Sequence, residues 1–183
     1  NETDGTISIL QGNGDGTFAV PSTACGPIPQ PFPACIGLPP VTSGSTTTVA
    51  SPSAIVTGDF NDDGNSDTAV TDVANNRVLV LLGNGDGTFQ SPVAYATGPN
   101  PVALVAQDFD GDSQADLAIT NQGNGTTAST VTVLLGNKVN GRQTGTFGTP
   151  PNQGSPPGVG VSPSAITAAV MTAARLLGAD TTR

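Results

Sequence analysis

Short apolar runs of about five residues, punctuated by turns rich in Gly, Asn and Asp, set the pattern of this chain. Pro52-Ser53-Ala54-Ile55-Val56 predicts a strand at about 53–57. Thr68-Ala69-Val70-Thr71 predicts one at about 68–73, Arg77 to Leu82 one at about 77–82, and the residues from Thr88 one at about 88–95. The pattern recurs at about 102–107, 117–121, 130–135 and 146–149. Four short strands per unit of roughly 50 to 60 residues predict an all-β fold of four-stranded antiparallel propeller-type blades. Two full blades are expected, with partial blades at each end.

Two repeated blocks fix the phase. Thr6 to Leu10 followed by Gly12-Asn13-Gly14-Asp15-Gly16-Thr17-Phe18 recurs as Arg77 to Leu82 followed by Gly83-Asn84-Gly85-Asp86-Gly87-Thr88-Phe89. A looser copy starts at Val131 and reaches Gly145-Thr146-Phe147 after an insertion. Asp-Gly between two β-like runs is a hairpin signal, because glycine accepts the positive φ of tight turns. The division expected is a partial blade at 1–20 holding strands three and four, then a Pro/Ser/Thr-rich projecting insertion at 21–50. Full blades follow at 51–98 and 99–150, and a partial blade with a divergent tail at 151–183. Residues 121–129 and 138–145 read as smaller polar insertions.

Each full blade opens with a Pro seven residues before an acidic loop. The first loop is Asp59-Phe60-Asn61-Asp62-Asp63-Gly64-Asn65-Ser66-Asp67, and the second is Asp108-Phe109-Asp110-Gly111-Asp112-Ser113-Gln114-Ala115-Asp116. Oxygen-bearing side chains fall at positions 1, 3, 5 and 9: Asp59, Asn61, Asp63 and Asp67, then Asp108, Asp110, Asp112 and Asp116. Asn65 and Gln114 at position 7 offer a further carbonyl. Alternate residues of a tight loop point inward, so this spacing gathers the hard oxygen ligands that Ca²⁺ requires. The helical calcium-binding hand fits poorly, because its position 12 wants Glu and these loops hold Val70 and Ile119. Phe60 and Phe109 are expected to anchor each loop on its sheet. A third approach, Pro163-Ser164-Ala165-Ile166-Thr167, leads to Val170 where the first Asp would stand, so no metal is expected there. The residues from Val170 to Gly178 fit a short helix or an error of reading frame.

Composition narrows the setting. The net charge of −9 excludes a basic nucleic-acid footprint. Eight of the 14 acidic residues lie in the two loops, and two calcium ions would bring −9 to −5. Cys25 and Cys35 bracket a Pro-rich loop. With no histidine for zinc, the alternatives are a disulfide in an oxidising compartment and two unpaired thiols. Asn1 and Asn124 stand in N-glycosylation sequons. The longest apolar run, Val78 to Leu82, is too short to span a bilayer. A chain opening on Asn1 without a leader reads as a processed form or a fragment.

These loops, the Gly-Asn-Gly-Asp-Gly-Thr-Phe turn and the blade-length period resemble the FG-GAP/VCBS repeat family, which includes the integrin α-chain propeller and many secreted bacterial proteins. The resemblance covers residues 6–20 and 51–149. It implies a calcium ion in the first hairpin loop of each blade, and roles in adhesion, surface display or ligand binding. The second loop departs from the first in carrying Gly111 at position 4 and Ser113 where the first has Gly64, so a less relaxed backbone is expected there.

Catalysis is not expected. Zero histidines remove Ser-His-Asp and Cys-His pairs, and the carboxylates stand at ligand spacing. Two and a half blades do not close a ring of four to eight. An excerpt of a larger propeller, an open array and head-to-tail assembly through strand edges all remain. The function expected is a secreted or cell-surface calcium-stabilised module that binds an extracellular protein or glycan. The alternative is a subunit of an extracellular filament, joined to other copies of itself through half-blade ends.

Overall fold

Period-two alternation along the central strands assigns each side chain to one of two cores, and so stacks the sheets. The computed structural model describes residues 4–10, 12–18, 35–150 and 166. These form β1 (Thr6–Ser8), β2 (Cys35–Gly37), β3 (Val41–Ser43), β4 (Thr46–Thr48), β5 (Pro52–Gly58), β6 (Asp67–Asp72), β7 (Arg77–Leu81), β8 (Val93–Ala96), β9 (Pro101–Gln107), β10 (Asp116–Asn121), β11 (Thr130–Val139) and β12 (Arg142–Gly148). No helix occurs among the described residues, and the all-β class holds. β5 to β8 make one antiparallel meander and β9 to β12 a second, while β1–β2 and β3–β4 are two-stranded pairs.

The two meanders pack on each other through one core. Ala69, Val78 and Val80 meet Leu104, Leu117, Ile119, Leu134, Phe147 and Phe60. Their neighbours in sequence, Val70, Leu79 and Leu81, join Ile7, Ile36, Leu38 and Ala50 in the other core. β6 and β7 are therefore apolar on both faces, and a one-residue slip would exchange the two cores. Phe147 locks the joint: its ring meets Phe60 and Tyr95 edge-on, each with centroids 5.7 Å apart. Its N–H also donates to the Tyr95 hydroxyl at 3.1 Å.

A buried carboxylate ties the far end of the first meander. Asp72 is fully buried. It accepts from Ser51 N at 2.9 Å, Asn75 Nδ2 at 2.8 Å and Arg77 Nε at 2.8 Å. Arg77 also donates to the Pro39 carbonyl, which ties the chain just ahead of β3 to this sheet.

Three sequence expectations differ from the structure. Strand four of the first full unit runs from Val93 to Ala96, later than 88–95, because the glycine turn closes on a single bridge between Gly83 and Phe89 and the chain then loops outward. Residues 35–38 do not project, although β3 and β4 beyond them are exposed. Cys35–Gly37 pairs with Thr6–Ser8, and Leu38 and Ala50 are buried in the same core. Finally, 138–145 is not an insertion. Asn140 and Gly141 have φ of 54° and 82°, the left-handed pair of a tight hairpin, and let β11 continue into β12. Cys25, Asn1, the 21–34 part of the expected insertion, the approach expected at 163–167 apart from Ile166, and the residues from Val170 lie outside the described residues.

Truncating the shared aromatic should part the meanders. Phe147→Ala is expected to lower stability by about 3–5 kcal/mol, measured as a shift in the urea midpoint without a change of slope.

Candidate metal centre

Both acidic loops are wound by the same hydrogen bonds. At position 1, Asp59 accepts from Asp63 N at 3.1 Å and Gly64 N at 2.8 Å. Asp108 accepts from Asp112 N at 3.2 Å and Ser113 N at 2.8 Å. At position 3, Asn61 and Asp110 each accept from the N–H of position 5 at 3.1 Å. At position 5, Asp63 accepts from Asn65 N at 2.7 Å and Asp112 from Gln114 N at 2.9 Å. Positions 4 and 6 are left-handed in both loops: Asp62 and Gly64 at 56° and 84°, Gly111 and Ser113 at 83° and 69°. Each loop thus forces one non-glycine residue into that region. The second is no less relaxed than the first; the demand has only moved from position 4 to position 6.

Position 9 does more than close the loop. Asp67 and Asp116 open β6 and β10 and are buried. One oxygen of each accepts from the aromatic at position 2, Phe60 N or Phe109 N, at 2.7 Å. The other accepts from a glycine of the neighbouring strand's path, Gly83 N just past β7 at 2.7 Å or Gly136 N within β11 at 2.8 Å. Glycine is required there for space. A Cβ on Gly136 would lie 2.6 Å from the Ala115 carbonyl oxygen, and one on Gly83 would overlap that of Ser66. Phe60 is fully buried as expected, whereas Phe109 is half-buried.

The electrostatics separate the carboxylates. Burial raises the Asp67 and Asp116 carboxyls above their ordinary value of 3.8, against the pull of their two N–H donors. Asp110 is also raised, by burial and then by repulsion from Asp112. Asp63 is lowered by the N–H of Asn65, and Asp112 by its bond to Lys138. In the second loop, Asp108, Asp110 and Asp116 bring carboxylate oxygens within 4.8 Å of one another, a group that can hold a metal ion. Asp112 is not one of the three: its Oδ2 lies 2.8 Å from Lys138 Nζ. Gln114, at position 7, is 8% exposed and its Oε1 has no hydrogen-bond partner. In the first loop, Asn61 supplies an amide at position 3 and its Nδ2 donates to Asp63 Oδ2 at 2.8 Å, so Asp59, Asp63 and Asp67 stand with one carboxylate fewer.

Residues 59–119 match the model of the FG-GAP-like repeat family. This stretch is an FG-GAP-like repeat. It begins on the first ligand position of one loop and runs through the whole of the other into β10, so the repeat takes in both. Comparison with curated proteins gave no match, nor did comparison with solved structures.

Several residues that serve the repeat were not singled out by sequence. Gln143 in β12 is buried and ties both loops. Its N–H donates to Asp62 Oδ2 at 2.7 Å, its Nε2 donates to Ala115 O at 2.6 Å, and its Oε1 accepts from Ala115 N at 3.2 Å. Arg142 donates to the Asp62 carbonyl. A hairpin signal at Asn140-Gly141 was the cue that would have put these residues beside the loops. The glycine turns are copies of each other: Asp15 and Asp86 each accept from the N–H of a Thr at 2.9 Å and from its hydroxyl at 2.6 Å. The sequon residue Asn124 is exposed, and its Oδ1 accepts from Thr126 Oγ1 at 2.8 Å. Among the described residues, no helix is long and apolar enough to cross a membrane.

Filling the glycine notch should break the position-9 link. Gly136→Ala is expected to cost about 2 kcal/mol, read by chemical unfolding, because the carbonyl it meets is backbone and has little room to shift.

Proposed function

We propose that this chain is a non-enzymatic, calcium-stabilised repeat module of an extracellular or cell-surface protein, which binds an extracellular protein or glycan through the loops between its strands. The observation that carries this reading is the convergence of Asp108, Asp110 and Asp116 within 4.8 Å, in a loop whose hydrogen-bond frame recurs in its partner. Clustered carboxylates in partly buried surroundings gain from a hard cation, and oxygen-only donors suit calcium. Cys35 is buried in β2, and its pairing with Cys25 as a disulfide belongs to the same reading of an oxidising compartment. The zero histidine count supports a non-catalytic role.

The ion's part is structural. At about 1 mM free calcium and a dissociation constant of about 0.1 mM, linkage adds about 1.4 kcal/mol per loop. That matters against a total margin of about 10 kcal/mol. Each loop leads directly into a central strand of its meander, so stiffening the loop stiffens the sheet stack.

Calcium titration by calorimetry, with thermal unfolding in calcium and in excess chelator, tests this. Saturable binding and a higher unfolding midpoint in calcium are expected; no binding at millimolar ion with an unchanged midpoint would sink the reading. Size-exclusion chromatography should show single copies in both conditions. Large assemblies that fall apart in chelator would replace the binding module with a filament subunit.

The pH dependence has a definite sign. Without a cation, the raised Asp67 and Asp116 contribute stability that is fully present below 3.8 and lost as pH rises through their folded values. A cation needs both deprotonated and reverses that trend. The gain in unfolding midpoint on adding calcium should therefore grow between about pH 4 and about pH 7.

A further inference from the structure

The β11–β12 hairpin sets an ammonium in direct contact with Asp112 of the second acidic loop, whereas its Arg142 acts on the equivalent Asp63 of the first only through space. Gly83 and Gly136 play the same part in their blades, so Lys138 stands where the first blade has Gly85. Gly85 lies close over Asn65, whereas Lys138 Nζ reaches Asp112 Oδ2 at 2.8 Å. The loops also differ at position 3, Asn61 in one and Asp110 in the other. At the ligand positions, three carboxylates in the first loop face four carboxylates and one ammonium in the second. The extra acid is matched by the extra base. Arg142, the hairpin's other cation, donates to the backbone carbonyl of Asp62 and reaches Asp63 by charge alone, without a direct ion pair.

The effect is visible in the second loop's geometry. Asp108, Asp110 and Asp116 converge, while Asp112 gives an oxygen to Lys138. Between Asp112 and Asp116, the buried Gln114 Oε1 remains an acceptor without a donor, a group that a cation would engage.

We propose that Lys138 is a tethered counter-ion: it holds the second loop in shape when no metal is bound, and it competes for Asp112 when one arrives. The two loops are then unequal, the second more fully neutralised by its own chain than the first. This inference rests on the reading of the loops as calcium sites.

The test uses the intact chain, Lys138→Met and Lys138→Arg, with calcium titration by calorimetry and thermal unfolding in excess chelator. The wild type should show two classes of site. Lys138→Met should strengthen the weaker class by roughly two- to fivefold, the range a partly exposed ion pair supplies, and leave the stronger unchanged. The same variant should unfold at lower temperature in chelator, while Lys138→Arg stays near the wild type. Two wild-type sites with unchanged or weakened affinity in Lys138→Met would overturn the counter-ion role and leave the calcium reading standing. A single class of wild-type sites would also overturn it. No calcium binding by any of the three proteins would remove the calcium reading itself and this inference with it.

Discussion

The position-9 carboxylate is the constraint on which the blades depend. In each, one buried Asp side chain accepts an N–H from the start of its own loop and another from a glycine of the adjacent strand's path. A buried carboxylate is costly unless its oxygens are satisfied. Two backbone donors meet that demand, and in doing so fix where the loop begins, where β6 or β10 begins and how close the next turn approaches. Loop geometry and sheet register are therefore one arrangement, not two.

Within each loop, backbone hydrogen bonds to the acidic side chains continue the same frame. Position 1 gathers the N–H groups of positions 5 and 6, and position 5 gathers that of position 7. The backbone donors fold each loop on itself, and in the second they accompany the approach of Asp108, Asp110 and Asp116 to within 4.8 Å of one another. Burial and mutual repulsion then raise Asp67, Asp110 and Asp116, which is the electrostatic condition under which a divalent cation binds with most gain.

The joint between meanders joins chemistry to packing. Phe147 sits between Phe60, which belongs to the first acidic loop, and Tyr95, which belongs to the edge strand β8. Five and four residues earlier in the same hairpin, Arg142 and Gln143 reach Asp62, and Gln143 also reaches Ala115. One strand of the second blade thus holds the core, the first loop and the second loop.

Strand class, blade phase and both acidic loops were legible in the residues, since alternation, glycine turns and alternate-position oxygen donors are local properties with a spacing of their own. The family resemblance rested on those same local features, and residues 59–119 bear it out. What lay beyond reading was everything set by contact across many residues. Cys35–Gly37 has no long apolar run and becomes a strand only because β1 offers it an open edge. Asp112 carries the spacing of a ligand, yet the fold gives one of its oxygens to Lys138 across the sheet. Gln143 looks like a polar loop residue until the Asn140-Gly141 turn folds it back between the two loops. Local spacing specified what each segment can be; only the packed chain decided which partners were within hydrogen-bond reach.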